Sequence, residues 1–579
     1  MHTLRETLEN AVTQALVSVS GVNDVKGQVI QATRSEFGDY QANGVMAVAR
    51  QLRTNPRELA LKVIEALDCG DLLAKAEVAG PGFINLFLAD EALARRADLA
   101  LHDPATLIPP IDSPATIVVD YSGPNLAKEM HVGHLRGTII GDALTRILDA
   151  LGHRVIRQNH VGDWGTQFGM LIAHMESLTR TGHDVGTTLA DLEAFYREAK
   201  QRFDQEPEFA DLARQYVVRL QRGDAACLAA WKRFIDESLK HCEDVYARLN
   251  VLLTRDDLRA ESSYNNELPV IVKELQDSGL AVESDGAQCV FLDDFVGKDG
   301  SPLPVIIQKS DGGYLYATTD LAAIRYRSHT LQADRVLYVV DARQSLHFQQ
   351  VFALAHRAGF SRSATTLEHI AYGTMMGDDG KPFKTRSGDT VKLRDLLDEA
   401  VRRAHELVDE KNPGLDADEK AEIARTVGIA AVKYADLSKN RTSDYIFDWS
   451  SMLSFEGNTA PYMLYAYARI QSVLRRLTAE SSPAAEQIGI NAAEERVLLL
   501  KILQLPEVIR QVGADCYPNQ LCLYLYELAG VFMKFYESCP ILKAETAELR
   551  SSRQALAMLT ATTLKRGLNL LGIEPLNRM

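Results

Sequence analysis

The sequence predicts an α/β protein whose centre is a doubly wound parallel sheet of the Rossmann type, with an α+β domain before it and an all-helical domain after it. Two segments carry the central prediction. TIVVDYS (116–122) has the apolar, β-branched pattern of a buried strand, and HRVIRQNHVGDWG (153–165) is a second strand that ends in a glycine-bearing turn. A helical pattern begins between them, near His131. Strand, helix and strand at this spacing form a βαβ unit, which requires a parallel sheet.

The N-terminal region has a different pattern. Apolar residues recur at helical spacing from Leu4 to Leu16, and GPGFINLFLAD (80–90) reads as a turn followed by a strand. A proline-rich stretch at 101–115 is typical of a linker. We therefore predict a separate α+β domain over residues 1–108.

The rest of the chain divides into a continuation of the sheet domain and a helical region. Charged helical sequence from about 176 to 260 predicts an insertion, and from about Lys392 helical periodicity continues to the end. Between these regions, four segments predict the strands of a second sheet half: QCVFLDD, VIIQKS, YLYATT and RVLYVVD. The predicted domains are therefore 1–108, 109–391 and 392–579.

Composition and charge limit the possible functions. The 579 residues carry a net charge of −15, yet residues 450–579 hold 13 Lys and Arg against 12 Asp and Glu. A nearly neutral tail on an acidic body is compatible with a local RNA-binding face, although a solvated surface of mixed charge is the more common explanation. The sequence contains no run of about 18 apolar residues, so it does not predict a membrane-spanning helix.

The N-terminal residues and the cysteine spacing predict a cytoplasmic protein that holds no structural metal. The opening MHTLRETLEN lacks the apolar run of a signal peptide. The seven cysteines contain no Cys-x-x-Cys pair, so we expect reduced thiols in place of a zinc site or a disulfide framework.

The sharpest local signal is HVGH (131–134), at the predicted start of the helix that follows the first strand. A helix N-terminus offers free N–H groups to phosphate, and Gly133 lets a nucleotide approach the backbone. The two histidines can donate hydrogen bonds to oxygens on which negative charge grows as pyrophosphate leaves. The alternatives are two surface histidines, or a metal pair, although the zincin pattern His-Glu-x-x-His has a different spacing.

Longer segments resemble a known family. The run DYSGPNLAKEMHVGHLRGTIIGD (120–142) resembles the signature of class I aminoacyl-tRNA synthetases, in the form found in arginyl-tRNA synthetases. The resemblance extends from about residue 36 to Met579 through FGDYQAN, VAGPGFINLFL, NHVGDWGTQFG, YATTDLAA, VVDARQSLHF, SFEGNTAPYMLYAYARI and LGIEPLNRM. It implies a Rossmann-type catalytic domain, an N-terminal domain that meets the tRNA elbow and a helical domain that reads the anticodon.

The resemblance also implies two sets of binding residues. The set for ATP binding and catalysis is Pro124, Asn125, Lys128, His131, Val132, Gly133, His134, Lys381 and Lys384. The set for arginine binding is Asp120, Ser122, Asn125, Tyr316, Asp320 and Gln344. A guanidinium is a planar fork of donors, so carboxylates, amide oxygens and a phenol are suited to surround it. Gly123 stands where the family often has a second serine, so this chain has one hydroxyl fewer.

The Lys-Met-Ser-Lys-Ser loop of class I synthetases is missing. Its place reads MMGDDGKPFKTRSGDT (375–390), in which Lys381, Lys384 and Arg386 remain candidate phosphate contacts. Some arginyl enzymes share this degenerate loop and retain a lysine upstream of the histidine motif, which matches Lys128. We therefore expect Lys128 to replace the lost charge more than the loop does. An ordinary solvated turn is the alternative interpretation of the loop.

A further group of residues is expected at the tRNA. The resemblance places Trp164 near the tRNA 3′ end, and the helical domain offers Tyr462, Tyr465 and Arg469 as stacking faces and a cation for unpaired bases. Aromatic residues at helical spacing are usually core, so only some of this stripe, which includes Tyr467, is expected to touch RNA.

The resemblance thus implies an arginine–tRNA ligase that uses ATP with Mg²⁺, L-arginine and an arginine tRNA as substrates, and we expect it to act as a monomer. The resemblance also implies that tRNA is needed for the first step. Three other interpretations remain: another class I synthetase such as the cysteinyl or glutaminyl type, a small nucleotidyltransferase, and a synthetase-like RNA-binding protein without catalysis. The first lacks its zinc cysteines here, the second is much shorter, and the intact HVGH motif argues against the third.

Overall fold

The computed structural model describes residues 2–180, 192–383, 391–479 and 487–579. The chain divides into two compact units. One contains Met1–Asp112, Ser454–Leu570 and Glu574–Met579, and the other contains Ser113–Leu453 and Leu571–Ile573. The N-terminal and C-terminal regions therefore share a unit. In the part of the chain that the structure describes, no helix is both long and apolar enough to cross a membrane.

The N-terminal region is a four-stranded antiparallel sheet with helices. Its elements are α1 (Leu4–Ser20), β1 (Val29–Gln31), β2 (Tyr40–Ala42), α2 (Gly44–Leu52), α3 (Pro56–Glu65), β3 (Leu73–Ala79), β4 (Phe83–Leu88) and α4 (Asp90–His102). The strand order is β1-β2-β4-β3. A capping box in which Thr3 and Glu6 each accept the other's backbone N–H begins α1. The predicted helix and the predicted strand at 83–88 are confirmed.

The unit that contains Ser113–Leu453 is an α/β structure with two small sheets beside the main one. Its elements are β5 (Thr116–Asp120), α5 (Leu135–Ala150), β6 (Arg154–Gln158), α6 (Thr166–Arg180), α7 (Leu192–Gln205), α8 (Pro207–Gln221), α9 (Ala225–Arg248), α10 (Leu268–Asp277), β7 (Ala281–Ser284), β8 (Ala287–Val296), β9 (Pro302–Gln308), α11 (Tyr316–Arg325), β10 (Arg335–Tyr338), α12 (Ser345–Arg357), β11 (Thr366–His369), β12 (Met375–Met376), α13 (Leu393–Lys411), α14 (Ala417–Leu437), β13 (Tyr445–Ile446) and α15 (Trp449–Met452).

The parallel sheet has the strand order β11-β10-β5-β6, with every neighbouring pair parallel. Val118 and Val119 of β5 are fully buried, because helices cover both faces of such a sheet. The chain order runs outward from β5 to β6 and from β10 to β11, so the order reverses between β5 and β10. The predicted βαβ unit and doubly wound sheet are confirmed.

The predicted second half of the parallel sheet is confirmed only for RVLYVVD, which forms β10. The segment YLYATT does not form a strand, because helix α11 begins at Tyr316. Its Ala317, Leu321 and Ile324 recur at helical spacing and pack into the core of the unit, so tertiary packing outweighs the β propensity of Tyr and Thr. The predicted strands β8 and β9 do form, but they belong to a separate antiparallel sheet with the order β7-β8-β9.

The C-terminal region is helical, as predicted. Its helices are α16 (Ala460–Ala479), α17 (Ala493–Leu503), α18 (Leu505–Asp515), α19 (Asn519–Ser538) and α20 (Ala547–Leu570). The helices α13 and α14 pack in the compact unit of the parallel sheet, whereas α16 to α20 belong to the other unit. The domain boundaries at residues 108 and 391 stay predictions.

The short segment 571–573, which follows α20, is bound within the sheet-containing unit by a buried lysine. The Lys433 ammonium is 1% exposed and donates to the carbonyl oxygens of Gly572 at 2.9 Å and Leu249 at 2.6 Å. Gly572 has a φ of 69°, and a Cβ there would lie 2.4 Å from Lys433 Nζ and 3.1 Å from Asp142 Oδ2. Any side chain at position 572 would therefore be strained and would displace the ammonium.

We expect Gly572→Ala to lower the free energy of unfolding by about 1–3 kcal/mol, because alanine would adopt a left-handed backbone and push against Lys433. Urea unfolding of the purified protein measures the change. Gly530→Ala is the matched control, since Gly530 lies in α19 and a Cβ there meets no atom within 4 Å. Equal stability of the two variants would contradict this account of Gly572.

Candidate active site

The candidate active site lies where the strand order of the parallel sheet reverses. Asp120 ends β5 and pairs in register with Tyr338, which ends β10. The chain leaves β5 for α5 and leaves β10 for α12. Ligands of open parallel sheets bind in the crevice at the carboxyl ends of the strands, at such a reversal.

Two histidines stand at the start of α5, and the backbone fixes both rings. His131 Nδ1 accepts the Gly133 N–H at 3.1 Å, and His134 Nδ1 accepts the His131 N–H at 3.1 Å. The ring centroids are 4.0 Å apart. Since each Nδ1 is an acceptor, the ring proton of each neutral imidazole is assigned to Nε2. The HVGH motif thus presents two preset N–H donors.

Both imidazoles are neutral at pH 7. Burial lowers the pKa of His134 to about 3, and the neighbouring His131 ring lowers it too, against a smaller opposite effect of the His131 backbone hydrogen bond. Burial and then the charge of Lys128 lower the pKa of His131. The motif can therefore stabilise a developing negative charge by hydrogen bonding, without carrying a full charge of its own.

The loop between β5 and α5 is fixed by backbone bonds to residues that follow β6. The N–H of Leu126 donates to the Gly162 carbonyl at 2.9 Å, and the N–H of Gly162 donates to the Pro124 carbonyl at 3.1 Å. A Cβ at Gly162 would lie 2.1 Å from Asn125 Oδ1, so any side chain there would displace the Asn125 amide. Asn125 stays exposed, whereas Pro124 and Val132 are buried. Pro124 and Val132 can therefore shape the site mainly through their backbones.

The residues that follow the degenerate loop are bonded directly to the histidine motif and its neighbour Met130. The Val132 N–H donates to the Val391 carbonyl at 3.0 Å, and the Leu393 N–H donates to the Met130 carbonyl at 2.9 Å. The intervening Lys392 ammonium lies 3.2 Å from the Glu129 carboxylate. Sequence reasoning missed Lys392, although its place immediately after the loop was the available signal.

The predicted lysines of the site differ in their surroundings. Lys128 Nζ lies 4.4 Å from the centre of the Tyr196 ring of α7, and its charge acts on His131. Lys381 is exposed at the end of a turn that the Gly377 N–H closes by donating to the Lys381 carbonyl at 2.7 Å. Lys384, like Arg386, lies outside the described residues.

We expect Lys128→Ala to raise the KM for ATP about tenfold to a hundredfold, the cost of losing one hydrogen bond to a charged group. Arginine-dependent pyrophosphate exchange in the presence of tRNA measures this constant. Lys381→Ala is the comparison variant and should have a smaller effect, because its side chain is free in solvent. A larger effect of Lys381→Ala would assign the phosphate contact to the loop.

Asp120, predicted to bind arginine, already has a guanidinium partner within the protein. Arg327 Nη2 lies 2.9 Å from Asp120 Oδ2, and Arg327 Nε donates to Gln158 Oε1 at 2.7 Å. The Arg327 side chain is fully buried, with its guanidinium 4.9 Å from the centre of the Tyr338 ring. Nothing in the local sequence pattern singled out Arg327. A contact between Asp120 and substrate arginine stays a prediction.

Tyr316 and Asp320 lie on one face of α11, and a histidine of α12 joins them. His347 Nε2 lies 2.6 Å from Asp320 Oδ2, and the His347 ring meets the Tyr316 ring edge-on at 6.2 Å. Tyr316 is 71% exposed, which is unusual for a large aromatic side chain and leaves its face open to a ligand. Gln344 is exposed just before α12. The structure thus groups Tyr316 and Asp320, and it adds His347.

Further acids surround this group. Burial raises the pKa of Glu261 to about 7; His160 opposes the shift, while Asp163 and Asp320 contribute to it. Asp163 accepts hydrogen bonds from the backbone N–H and the hydroxyl of Ser262. A cation bound among these carboxylates would relieve their mutual repulsion. Sequence reasoning missed Glu261, which belongs to a short 3₁₀ helix without a recognisable motif.

Ser122 and its neighbours complete this side of the crevice. Ser122 Oγ lies 2.7 Å from the Tyr246 hydroxyl and accepts a hydrogen bond from Thr138 at 2.9 Å. Its φ is 72°, an uncommon value for a residue other than glycine. Ser122 is therefore held by α5 and α9, and its role in binding arginine stays a prediction.

The residues predicted to contact tRNA lie in both units. In the sheet-containing unit, Trp164 is half-buried, and its ring meets the Trp231 ring edge-on at 5.8 Å. In the other unit, Tyr462, Tyr465 and Arg469 are spaced to share one face of α16, whereas Tyr467 is buried.

The three side chains on this face of α16 differ in their exposure to solvent. Tyr465 is 42% exposed, and Tyr462 packs against the Tyr526 ring at 5.8 Å. The Arg469 guanidinium lies 5.1 Å from the centre of the Tyr536 ring. This face therefore offers aromatic rings and a cation to unpaired bases, and contact with RNA stays a prediction.

Comparisons with known proteins agree with this geometry. The model described as tRNA synthetases class I (R), catalytic domain, matches residues 102–449. The arginyl tRNA synthetase N terminal domain matches residues 3–88, and the DALR anticodon binding domain matches residues 463–579. The parallel sheet with its histidine pair at the strand-order reversal thus defines a class I aminoacyl-tRNA synthetase.

Full-length relatives narrow the class to one specificity. The chain is 57% identical to the arginine–tRNA ligase of Chromobacterium violaceum, over 99% of both chains. It superposes on the arginyl-tRNA synthetases of Plasmodium falciparum (TM-score 0.83, 28% identity) and Thermus thermophilus (TM-score 0.82, 27% identity), covering 100% of each chain. The chain belongs to the arginyl-tRNA synthetase family.

Proposed function

We propose that this chain activates L-arginine with ATP and transfers it to the 3′-terminal adenosine of an arginine tRNA. One observation carries the proposal: the sheet-containing unit combines the carboxylates of Asp163, Glu261 and Asp320 with a pair of neutral histidine donors, in a chain of the arginyl-tRNA synthetase family. The carboxylates suit the substrate guanidinium, and the donors suit the charge that develops on leaving pyrophosphate.

The first step is an in-line attack by the arginine carboxylate on the ATP α-phosphorus, which gives arginyl-adenylate and pyrophosphate. The Nε2–H groups of His131 and His134 donate to phosphate oxygens, and Lys128 adds a positive charge on the same side. The backbone N–H groups at the start of α5 favour phosphate binding there. No side chain becomes covalently bonded, so catalysis rests on positioning and charge stabilisation.

The second step is attack by a hydroxyl of the terminal adenosine on the activated carbonyl of arginyl-adenylate, which releases AMP. Asp320, with Tyr316 and Gln344, holds the arginine side chain, while Asn125 and Ser122 hold the end that reacts. A lysine side chain presents a point charge in place of a planar fork and satisfies such a site poorly.

The proposal also covers the metal cofactor, the cellular location, the oligomeric state and the regions that contact tRNA. Mg²⁺ arrives with ATP and is held mainly by phosphate oxygens and water. Among residues 2–180, 192–383, 391–479 and 487–579, no three His, Cys, Asp or Glu side chains are grouped as a metal site. We expect a cytoplasmic monomer whose N-terminal region meets the tRNA elbow and whose helices α16 to α20 read the anticodon.

The test is pyrophosphate exchange with each of the twenty amino acids, with and without total tRNA. We expect exchange with arginine alone, and we expect it to stay near background until an arginine-accepting tRNA is added. The physical reason is that Asp378 and Asp379, which closely precede Lys381, repel a phosphate. Bound tRNA must therefore shift the loop toward the conformation that can bind the ATP phosphates.

The outcomes separate the parts of the proposal. Exchange with another amino acid would refute the arginine specificity. Strong arginine-dependent exchange in a preparation freed of RNA would refute the tRNA requirement and leave the specificity intact. Absence of exchange under every condition would refute the catalytic function and favour a synthetase-like RNA-binding protein.

A further inference from the structure

The N-terminal motif FGDYQAN (37–43) has no part in the active site described above. Two of its polar residues, Asp39 and Tyr40, are bonded to the C-terminal helices α17 and α18, which lie in the same compact unit. The Asp39 carboxylate receives both Nη atoms of Arg496, at 2.8 and 2.9 Å. The Tyr40 hydroxyl donates to Glu507 Oε1 at 2.6 Å. We call these two contacts the terminal clamp.

The Glu507 end of the clamp is buried. Glu507 is 4% exposed and Tyr40 is fully buried. The same carboxylate accepts the Arg5 backbone N–H at 2.9 Å and the Gln31 amide at 3.0 Å. All three donors therefore come from the N-terminal region. A buried carboxylate is costly unless such donors surround it, so Glu507 is stable in this position only when the N-terminal region is docked.

The Arg496 end fixes the orientation of docking. Besides its two contacts to Asp39, Arg496 donates through Nε to Asp90 at 2.6 Å and through Nη2 to the Leu88 carbonyl at 3.0 Å. Asp39 also accepts the Leu88 N–H at 2.7 Å. A planar guanidinium held by partners on both its edges tolerates little rotation. The clamp therefore sets one relative position of β2, β4 and α17.

The contacts also indicate what the motif does not do. A carboxylate that is paired through both oxygens, and that repels phosphate, is unsuited to bind an RNA backbone. A tyrosine that is fully buried offers no stacking face to a base. Asp39 and Tyr40 thus act on protein, although they stand in a region expected to meet the tRNA elbow.

We propose that the terminal clamp joins the N-terminal region and the C-terminal helices into one rigid tRNA-binding body, so that two contacts to the same tRNA are presented at a fixed separation. This inference rests on the proposed function in tRNA charging. Two sites on one rigid body bind a rigid ligand more tightly than two sites that move independently, because the second contact costs less ordering. The clamp residues are positioning residues and do not touch the reacting atoms.

The experiment is a double-mutant cycle on the full-length enzyme with Asp39→Asn, Arg496→Gln and the combined variant. Each single variant should raise the KM for tRNA about tenfold and leave kcat within about twofold, because affinity changes while the chemistry does not. The combined variant should be no worse than Arg496→Gln alone, because Arg496→Gln already removes the contact to Asp39.

Asp71→Asn is the matched control, because Asp71 pairs with Arg95 inside the N-terminal region and does not reach the C-terminal helices. Its KM for tRNA should stay at the wild-type value. Tyr40→Phe deletes a single hydroxyl and should raise the KM about threefold, in proportion to one hydrogen bond. It also covers the case in which the charge variants fail to fold.

A second measurement needs no RNA. Amide hydrogen exchange of β2 should become faster in Asp39→Asn and Arg496→Gln and stay unchanged in Asp71→Asn. Wild-type charging of tRNA tests the proposed function, whereas the comparison among variants tests the clamp. An unchanged KM for tRNA, additive single effects, or an equal fall in kcat in folded variants would each overturn the clamp proposal.

Discussion

His134→Ala is expected to lower the rate of arginine activation by about 10²–10³, the usual effect of losing one preorganised donor to a developing negative charge. The Nδ1 of this ring is occupied by the His131 N–H, so its Nε2–H is the group available to the phosphates. The KM for arginine should change little, because the donor acts mainly on the transition state. Pyrophosphate exchange with saturating tRNA measures both constants.

Because His134 acts as a neutral donor, a Gln variant and the pH–rate profile serve as controls for this prediction. His134→Gln places an amide N–H near the position of Nε2 and should recover part of the lost rate, whereas a cation at this position should not be needed. Because burial lowers the pKa of His134 to about 3, the ring stays neutral from pH 8 to pH 6 and should add no step to the pH–rate profile. Full activity of His134→Ala would remove the motif from the mechanism.

Asp320→Ala is expected to weaken the use of arginine by roughly 10²–10⁴ in kcat/KM, since removing the partner of a buried charge costs on the order of 3–5 kcal/mol. The KM for ATP should stay near its wild-type value, because Asp320 lies with Tyr316 and His347 and not with the histidine pair of α5. Steady-state exchange with each substrate varied in turn separates the two constants.

Two further variants serve as comparisons for Asp320→Ala. Asp277→Ala removes an exposed carboxylate of α10 that pairs with Lys273, and it should leave both constants unchanged. His347→Ala should have a smaller effect than Asp320→Ala, because it removes a neighbour of the carboxylate and leaves the charge in place. Normal arginine kinetics in Asp320→Ala would exclude this carboxylate from the pocket.

Local pattern was sufficient where a residue's role depends on its near neighbours in the chain. The alternation of strand and helix around β5, α5 and β6 predicted the parallel sheet, because a βαβ unit has only one stable arrangement. The HVGH motif was predicted at the start of a helix because the helical pattern of apolar residues begins directly after it. Pattern failed at YLYATT, where the burial of Ala317 and Leu321 in the core decided in favour of a helix.

The sequence by itself determined the fold class, the position of the histidine pair and the family, because these depend on spacing within short segments and on long matching motifs. Only the tertiary structure decided which groups meet across the chain. Arg327 beside Asp120, Lys392 beside the histidine motif and Arg496 beside Asp39 are brought together from distant segments. The energy of such a pair depends on burial and distance after folding, and neither quantity is encoded in the local pattern of either residue.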